Sequence, residues 1–262
     1  NLITTILPAR YLMSEWSTYL LLFGTGCVAG TLNVVAGGGS FLSLPILIFL
    51  GLPATHANGT NRVAILIQNI GAVWSFHRHG MMDWKSLFWA ALPTTVGAVL
   101  GALVALWVGD EAFKKILAFL MVAVTLWTLW DPLKEKLNHP RTSGRSQFLA
   151  LTSGFFVVGI YSGFVQAGVG FLILAVTTLA GFNLVKGNTI KVLVILASMI
   201  VSLAVFASQG RVSWTMGFVL GTGNLMGGLL GVKLTVLKGH AWIKNIVTAT
   251  VILFALQLWF FE

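Results

Sequence analysis

Long stretches of the chain carry no Asp, Glu, Lys or Arg: residues 16–61, 86–109, 146–185, 192–210, 212–232 and 245–261. Crossing hydrocarbon takes about 20 apolar residues, sometimes as few as ~17. On that rule the pattern predicts segments near 17–36, 39–50, 62–78, 86–108, 113–130, 147–166, 169–180, 190–208, 213–233 and 243–261. All are expected to be helical, because lipid-exposed backbone must satisfy its own hydrogen bonds and no barrel-type alternation is present. The first segment lacks a small-residue cleavage site and runs into Gly-rich sequence, so it is not read as a cleaved signal peptide. Two segments are too short to cross. Residues 39–50 lie between Gly37-Gly38-Gly39 and Gly51-Leu52-Pro53, and 169–180 lie between Ala167-Gly168 and Gly181. Twelve helical residues rise about 18 Å, short of the ~30 Å core, so each is expected to go halfway and start from a mid-membrane break.

Composition agrees with the pattern. The chain is 57% hydrophobic and 9% charged, with mean hydropathy +0.91. A soluble domain has about 25% charged residues, so a soluble enzyme is excluded and an all-α integral membrane protein expected. One cysteine, Cys27, excludes a disulfide scaffold and is read as a packing residue. Twenty-nine glycines suit close helix packing in a bilayer. The net charge of +9 comes without a basic arm or stripe, so no nucleic-acid partner is expected.

The chain also matches itself. At an offset of 130, Val35/Val165, Gly38/Gly168, Phe41/Phe171, Gly51/Gly181, Phe76/Phe206, Gly80/Gly210, Trp84/Trp214, Gly97/Gly227 and Gly101/Gly231 coincide. Between them the offset slips to 129, pairing Thr60 with Thr189, Arg62 with Lys191 and Val63 with Val192. The expected organisation is an N-terminal extension (1–16), a first repeat (17–130), a polar hinge (131–147) and a second repeat (148–262). Five segments per repeat is an odd number, which inverts the second repeat in the membrane. Counting Lys and Arg by alternating side puts Arg10, Arg62, Lys114, Lys115 and Arg211 on one face and the other eleven of the sixteen opposite. By the positive-inside rule the hinge is cytoplasmic and both termini are outside. Leaving out Arg62 and Lys191 gives four against ten, with the same result.

Short, glycine-interrupted segments at matching places of inverted repeats point to a transporter's binding site. A helix starting in mid-membrane presents unpaired N–H groups and a positive dipole end, which suits an anion. The Gly-rich break, the half-segment with Pro45, Gly51-Leu52-Pro53 and Ala57-Asn58-Gly59-Thr60-Asn61 resemble the sulfite exporter TauE/SafE family. The second copy, Gln166-Ala-Gly-Val-Gly-Phe171 followed by Gly187-Asn188-Thr189, is similar. The resemblance covers residues 18–261 and implies secondary transport of small organosulfur or other anions, such as sulfite or sulfoacetate, in a bacterial plasma membrane. The second copy departs from the first in having Val169 for Gly39 and Gln166 for Ala36.

Gly37, Gly38, Gly39 and Ser40, with Gly168 and Gly170, are the candidate backbone donors to an anion; close helix packing is the alternative use of those glycines. Arg62 and Lys191 each open a long apolar segment, where a cation opposes the helix dipole. They either pair an oxyanion or snorkel to the headgroups. Asn58, Asn61, Arg62, Gln68 or Asn69, and Ala72 share one helical face, as do Asn188, Lys191, Ser198 and Ser202. Asn58, Asn61 and Asn188 are candidate ligands, as are Asn33 and Gln166 beside the breaks; interhelical hydrogen bonding is the alternative. His56 is the candidate for proton coupling, while His77-Arg78-His79 reads as a cytoplasmic loop. No acidic residue falls inside a span, so no cation site or acidic relay is expected. Metal sites, cofactor motifs and an intramembrane catalytic constellation are absent from the sequence, against a membrane enzyme. A passive anion channel would use the same half-helices. The expected partners are a small anion and the lipid bilayer. Gly97-x-x-x-Gly101 and Gly227-x-x-x-Gly231 suit packing within a protomer or across a homodimer.

Overall fold

The computed structural model describes residues 14–82, 84–130 and 145–260, all of the regular structure in them helical. The helices are α1 (Glu15–Val35), α2 (Ser40–Phe49), α3 (Ala54–Arg78), α4 (Trp84–Trp107), α5 (Asp110–Trp130), α6 (Arg145–Phe164), α7 (Val169–Leu179), α8 (Leu184–Ser208) and α9 (Trp214–Phe260). Most of the expected N-terminal extension and of the hinge, including Arg10, Lys134, Lys136 and Arg141, lies outside the described residues, as does Asp83. Two corrections to the expected segments follow. The ninth and tenth are one helix of 47 residues, about 70 Å at 1.5 Å per residue. Between them, 234–242 holds no proline and a single glycine, Gly239, so nothing stops the helix and the expected reversal is absent. Helices α3 and α8 also start earlier than expected, at Ala54 after Pro53 and at Leu184, where the Asn183 side chain accepts from Lys186 N at 2.8 Å. Arg62 and Lys191 therefore sit about two turns inside their helices rather than opening them.

The two half-helices are as short as their glycine brackets require, 10 residues for α2 and 11 for α7. Both end in the same pair of backbone bonds: Gly51 N to Ile48 O and Leu52 N to Leu47 O, then Gly181 N to Thr178 O and Phe182 N to Thr177 O. That is a left-handed C-terminal cap on glycine.

Packing crosses the chain midpoint. Helix α1 lies chiefly on α9 and α4 chiefly on α6, while α3 and α8 run through the middle and touch each other and those pairs. Glycine sets the distance of both outer pairs. A Cβ at Gly30 would overlap the Asn224 backbone, and one at Gly159 would overlap the Thr94 backbone. Likewise Gly227 meets Cys27 O and Gly97 meets Phe156 O. These contacts place both small-residue motifs inside the protomer.

The polarity is that of a bilayer protein. Large apolar side chains such as Leu92, Val96, Leu100, Leu103 and Trp107 of α4 are exposed along one face, whereas Asn58, Asn61, Arg62, Gln68 and Asn69 of α3 are buried. Glu15–Val35, Trp89–Trp107, Leu184–Ser208 and Trp214–Lys238 are long and apolar enough to cross a membrane. The chain is an all-α, multi-pass integral membrane protein.

Candidate functional site

The two breaks meet. Helix α1 ends ahead of Gly37, whose φ of +95° turns the chain toward α2, and α6 ends ahead of Gly168, whose φ of +69° turns it into α7. Gly37 and Gly170 are in backbone contact: a Cβ on Gly37 would lie 2.5 Å from Gly170 Cα. Gly39 is packed as tightly, against Ala29 and Asn33 of α1, and Gly38 is buried beside it. Phe41 and Phe171 stand over the crossing with ring centroids 6.1 Å apart. The starts of α2 and α7 thus converge, but part of their N–H complement is used locally. Phe41 N donates to Gly38 O, and Leu42 N and Ser43 N to Gly39 O; Phe171 N donates to Gly168 O and Val169 N to Gln166 O.

A broken helix also frees carbonyls at its end, and the two cations go to these. Lys191 Nζ donates to Asn33 O (2.9 Å), Val34 O (2.7 Å) and Asn188 Oδ1 (2.6 Å). Asn188 Nδ2 donates to Val35 O at 3.4 Å. In the other half Arg62 Nη1 donates to Ser162 O (3.1 Å), Arg62 Nη2 to Gly163 O, and Asn58 Nδ2 to Phe164 O (2.8 Å). Each central helix therefore caps the end of the broken helix from the opposite half. Positive charge at a helix C-terminus is favourable, which is the reverse of the dipole conflict expected from sequence. Neither cation reaches the headgroups: Arg62 is 0% and Lys191 1% exposed.

The remaining candidates fall around these two caps. Asn61 joins α3 to α2, accepting from Ser43 Oγ at 2.7 Å and donating to Ser40 Oγ at 3.3 Å. Gln166 adopts φ +69°, unusual away from glycine, and is held by Ser162 Oγ at 3.1 Å. Asn33 Nδ2 donates to Gln68 Oε1 at 3.2 Å. His56 stands apart, in the first turn of α3 beside another cluster. There Asp110 accepts from Thr55 N (3.0 Å) and Thr55 Oγ1 and faces Arg211 at 3.8 Å, at the rim of a cavity of about 130 Å³.

The comparisons with known proteins agree with this architecture. The profile described as Sulfite exporter TauE/SafE matches residues 22–258. The chain belongs to that family. Among relatives of this TauE/SafE chain, a probable membrane transporter protein of Haemophilus influenzae is 31% identical over 228 residues, covering 87% of the chain and 89% of the relative. The probable membrane transporter protein ORF9 of a Sinorhizobium species is 31% identical over 250 residues, covering 94% and 95%. The probable membrane transporter protein YfcA of Escherichia coli K12 is 30% identical, covering 87% and 84%. No solved structure matches the chain.

Sequence reasoning missed several parts of this TauE/SafE centre. The acceptors Ser162, Gly163 and Val34 act through backbone carbonyls, which leave no residue-type signal, and Asn33, a candidate by its side chain, meets Lys191 through its carbonyl. Phe206, whose ring centroid lies 4.5 Å from Arg62 Cζ, was visible only as the repeat partner of Phe76. Asn224 has both side-chain amide atoms buried without a partner, and its sequence neighbours pointed only to packing.

Proposed function

We propose that this family member is a secondary transporter for small organosulfur anions, a sulfonate such as sulfoacetate or sulfite, in a bacterial plasma membrane. One observation carries the reading: two fully buried cations flank the crossing of two half-helix starts, and no Asp or Glu is buried among the described residues. The ends of α1 and α6 supply about −0.5 charge each and the starts of α2 and α7 about +0.5 each. These cancel and leave the two side-chain charges uncompensated, in a setting where a lone charge is expensive. A small anion near the crossing supplies the counter-charge. The relatives' names, all membrane transporters, support the transport class, and the family description supports a sulfur oxyanion.

The matching contacts of Gly30 on Asn224 and Gly159 on Thr94 support two related halves, the five described helices of the first half support inversion of the second, and the Lys and Arg asymmetry supports an outside N-terminus and a cytoplasmic hinge. Cysteines placed at Ser14 and Ser143 on a Cys27→Ala background, labelled in whole cells with an impermeant thiol reagent, test the orientation. Ser14→Cys alone should label. Transport is tested in proteoliposomes with labelled sulfite and sulfoacetate. Saturable uptake, accelerated by unlabelled anion on the far side, is the expected result. Single-channel currents without such acceleration would replace the transporter with a channel, and absence of any anion flux would end the proposal.

A further inference from the structure

The two cations are equivalent by sequence but not by bonding. An ammonium has three N–H bonds, and Lys191 places them on Asn33 O, Val34 O and Asn188 Oδ1. It has no donor left. A guanidinium has five N–H bonds in a fixed plane. In Arg62 the two Nη atoms reach Ser162 O and Gly163 O, while Nε is buried with no partner.

A second unpartnered group lies on the face of α8 that contacts Arg62. Met199 Sδ is 4.0 Å from Arg62 Nη1 and the Phe206 ring covers the guanidinium face, so both residues touch Arg62 from α8. Ser202 lies between them on the same helical face, three residues after Met199 and four before Phe206. Its hydroxyl is fully buried and has no partner. Helical serines usually return their proton to a carbonyl three or four residues back, as Ser198 does to Ile195 O at 3.0 Å. The position matching Ser202 in the first half is Ala72, so the Lys191 side has no equivalent hydroxyl. Buried donors without acceptors are rare and call for an explanation.

Resting on the transport reading above, we propose that the anion is held by the Nε–H edge of Arg62 together with the Ser202 hydroxyl, and that Lys191 is a positioning residue that fixes the α1 break. The edge of a guanidinium offers parallel N–H bonds matched to two oxygens of one ligand. The site therefore favours planar or tripodal oxyanions, sulfonate, sulfite or carboxylate, over spherical halides. Arg62 is fully buried with the Phe206 ring across its plane, and burial strengthens the charged bonds.

The test is the ratio of half-saturation for methanesulfonate to inhibition by chloride, measured in proteoliposomes. Ser202→Ala should fold, since it removes an unpartnered buried hydroxyl, and should weaken methanesulfonate about threefold to tenfold with little change for chloride. Arg62→Lys keeps the charge and loses the planar edge, so the oxyanion preference should fall about tenfold. Lys191→Arg and the milder Asn188→Ala should lower the melting temperature and leave the ratio within about twofold. The inference is overturned if the ratio follows Lys191 and Asn188 and ignores Ser202 and Arg62. Should Arg62→Lys not fold, Ser202→Ala decides alone, because an unchanged ratio there removes the hydroxyl from the site. Wild-type protein that neither transports nor is thermally stabilised by any of methanesulfonate, sulfite and acetate sinks the transport reading itself, and this inference with it.

Discussion

Around Lys191 three N–H bonds meet three oxygens and a second amide, Asn188, ties the same helix end; around Arg62 two nitrogens meet carbonyls, a third meets nothing, and an aromatic ring lies across the plane. The placement of the two cations is similar. Each cation sits about two turns into a central helix of 25 residues and caps the broken helix from the other half. One cation is saturated and the other is not, and on the proposal above this separates two tasks, holding a broken helix in a bilayer and meeting a charged ligand. Arg62 and Lys191 occupy matching positions in the sequence. The choice of Arg over Lys, and of Ser202 over an alanine, makes one of them different.

The largest expected effect concerns the crossing that both regions share. Gly37→Ala combines a positive φ with overlap on Gly170, and each term is worth about 1–3 kcal/mol. Gly170→Ala has the overlap alone. Both should reduce folded yield in detergent chromatography, Gly37→Ala more severely; the reverse order would mean that the crossing is not set by backbone conformation.

Neutralising the cations separates them next. Arg62→Gln removes a charge-assisted bond from the ligand, about 1.5–3 kcal/mol, so affinity should fall tenfold to a hundredfold. Lys191→Gln strands carbonyls of α1, at about 1–3 kcal/mol for each buried group left unpaired, and should show first as lost thermal stability. Equal stability losses with equal affinity losses would erase the distinction.

A smaller effect tests whether the two outer helix pairs are equivalent. Gly30→Ala and Gly159→Ala each push a Cβ into a facing backbone, with overpacking of about 1–3 kcal/mol. Their melting temperatures should drop by similar amounts. A tolerated substitution at either one would show that pair to be loosely packed.

The smallest effect lies at the rim, away from both cations. Burial alone would raise the Asp110 carboxyl, but two hydrogen bonds from Thr55 and the charges of Arg211 and His56 hold it below its ordinary value. A lowered carboxylate adds stability at neutral pH that disappears as pH falls from about 3.9 through the folded value. The Arg211 pair is partly exposed, so Asp110→Asn should cost under about 1 kcal/mol. Melting of wild type and Asp110→Asn should differ slightly at pH 6 and converge near pH 3.

Much of this was written along the chain. The uncharged runs give the membrane class because hydrocarbon tolerates few charges, and the glycine brackets give the half-helices because length and helix ends are local properties. Pairing Arg62 with Lys191 was legible from the repeat. Their partners were not. Ser162, Gly163, Asn33 and Val34 accept through carbonyls that every residue has, and these come within reach only when α3 crosses α6 and α8 crosses α1. The tertiary structure also decided that the breaks touch, since the Gly37–Gly170 contact joins positions 133 residues apart in sequence. Sequence fixes what can be buried and where helices stop, because those depend on neighbouring residues. Which donors remain unspent depends on the count of acceptors brought in from distant segments, and only the folded chain makes that count.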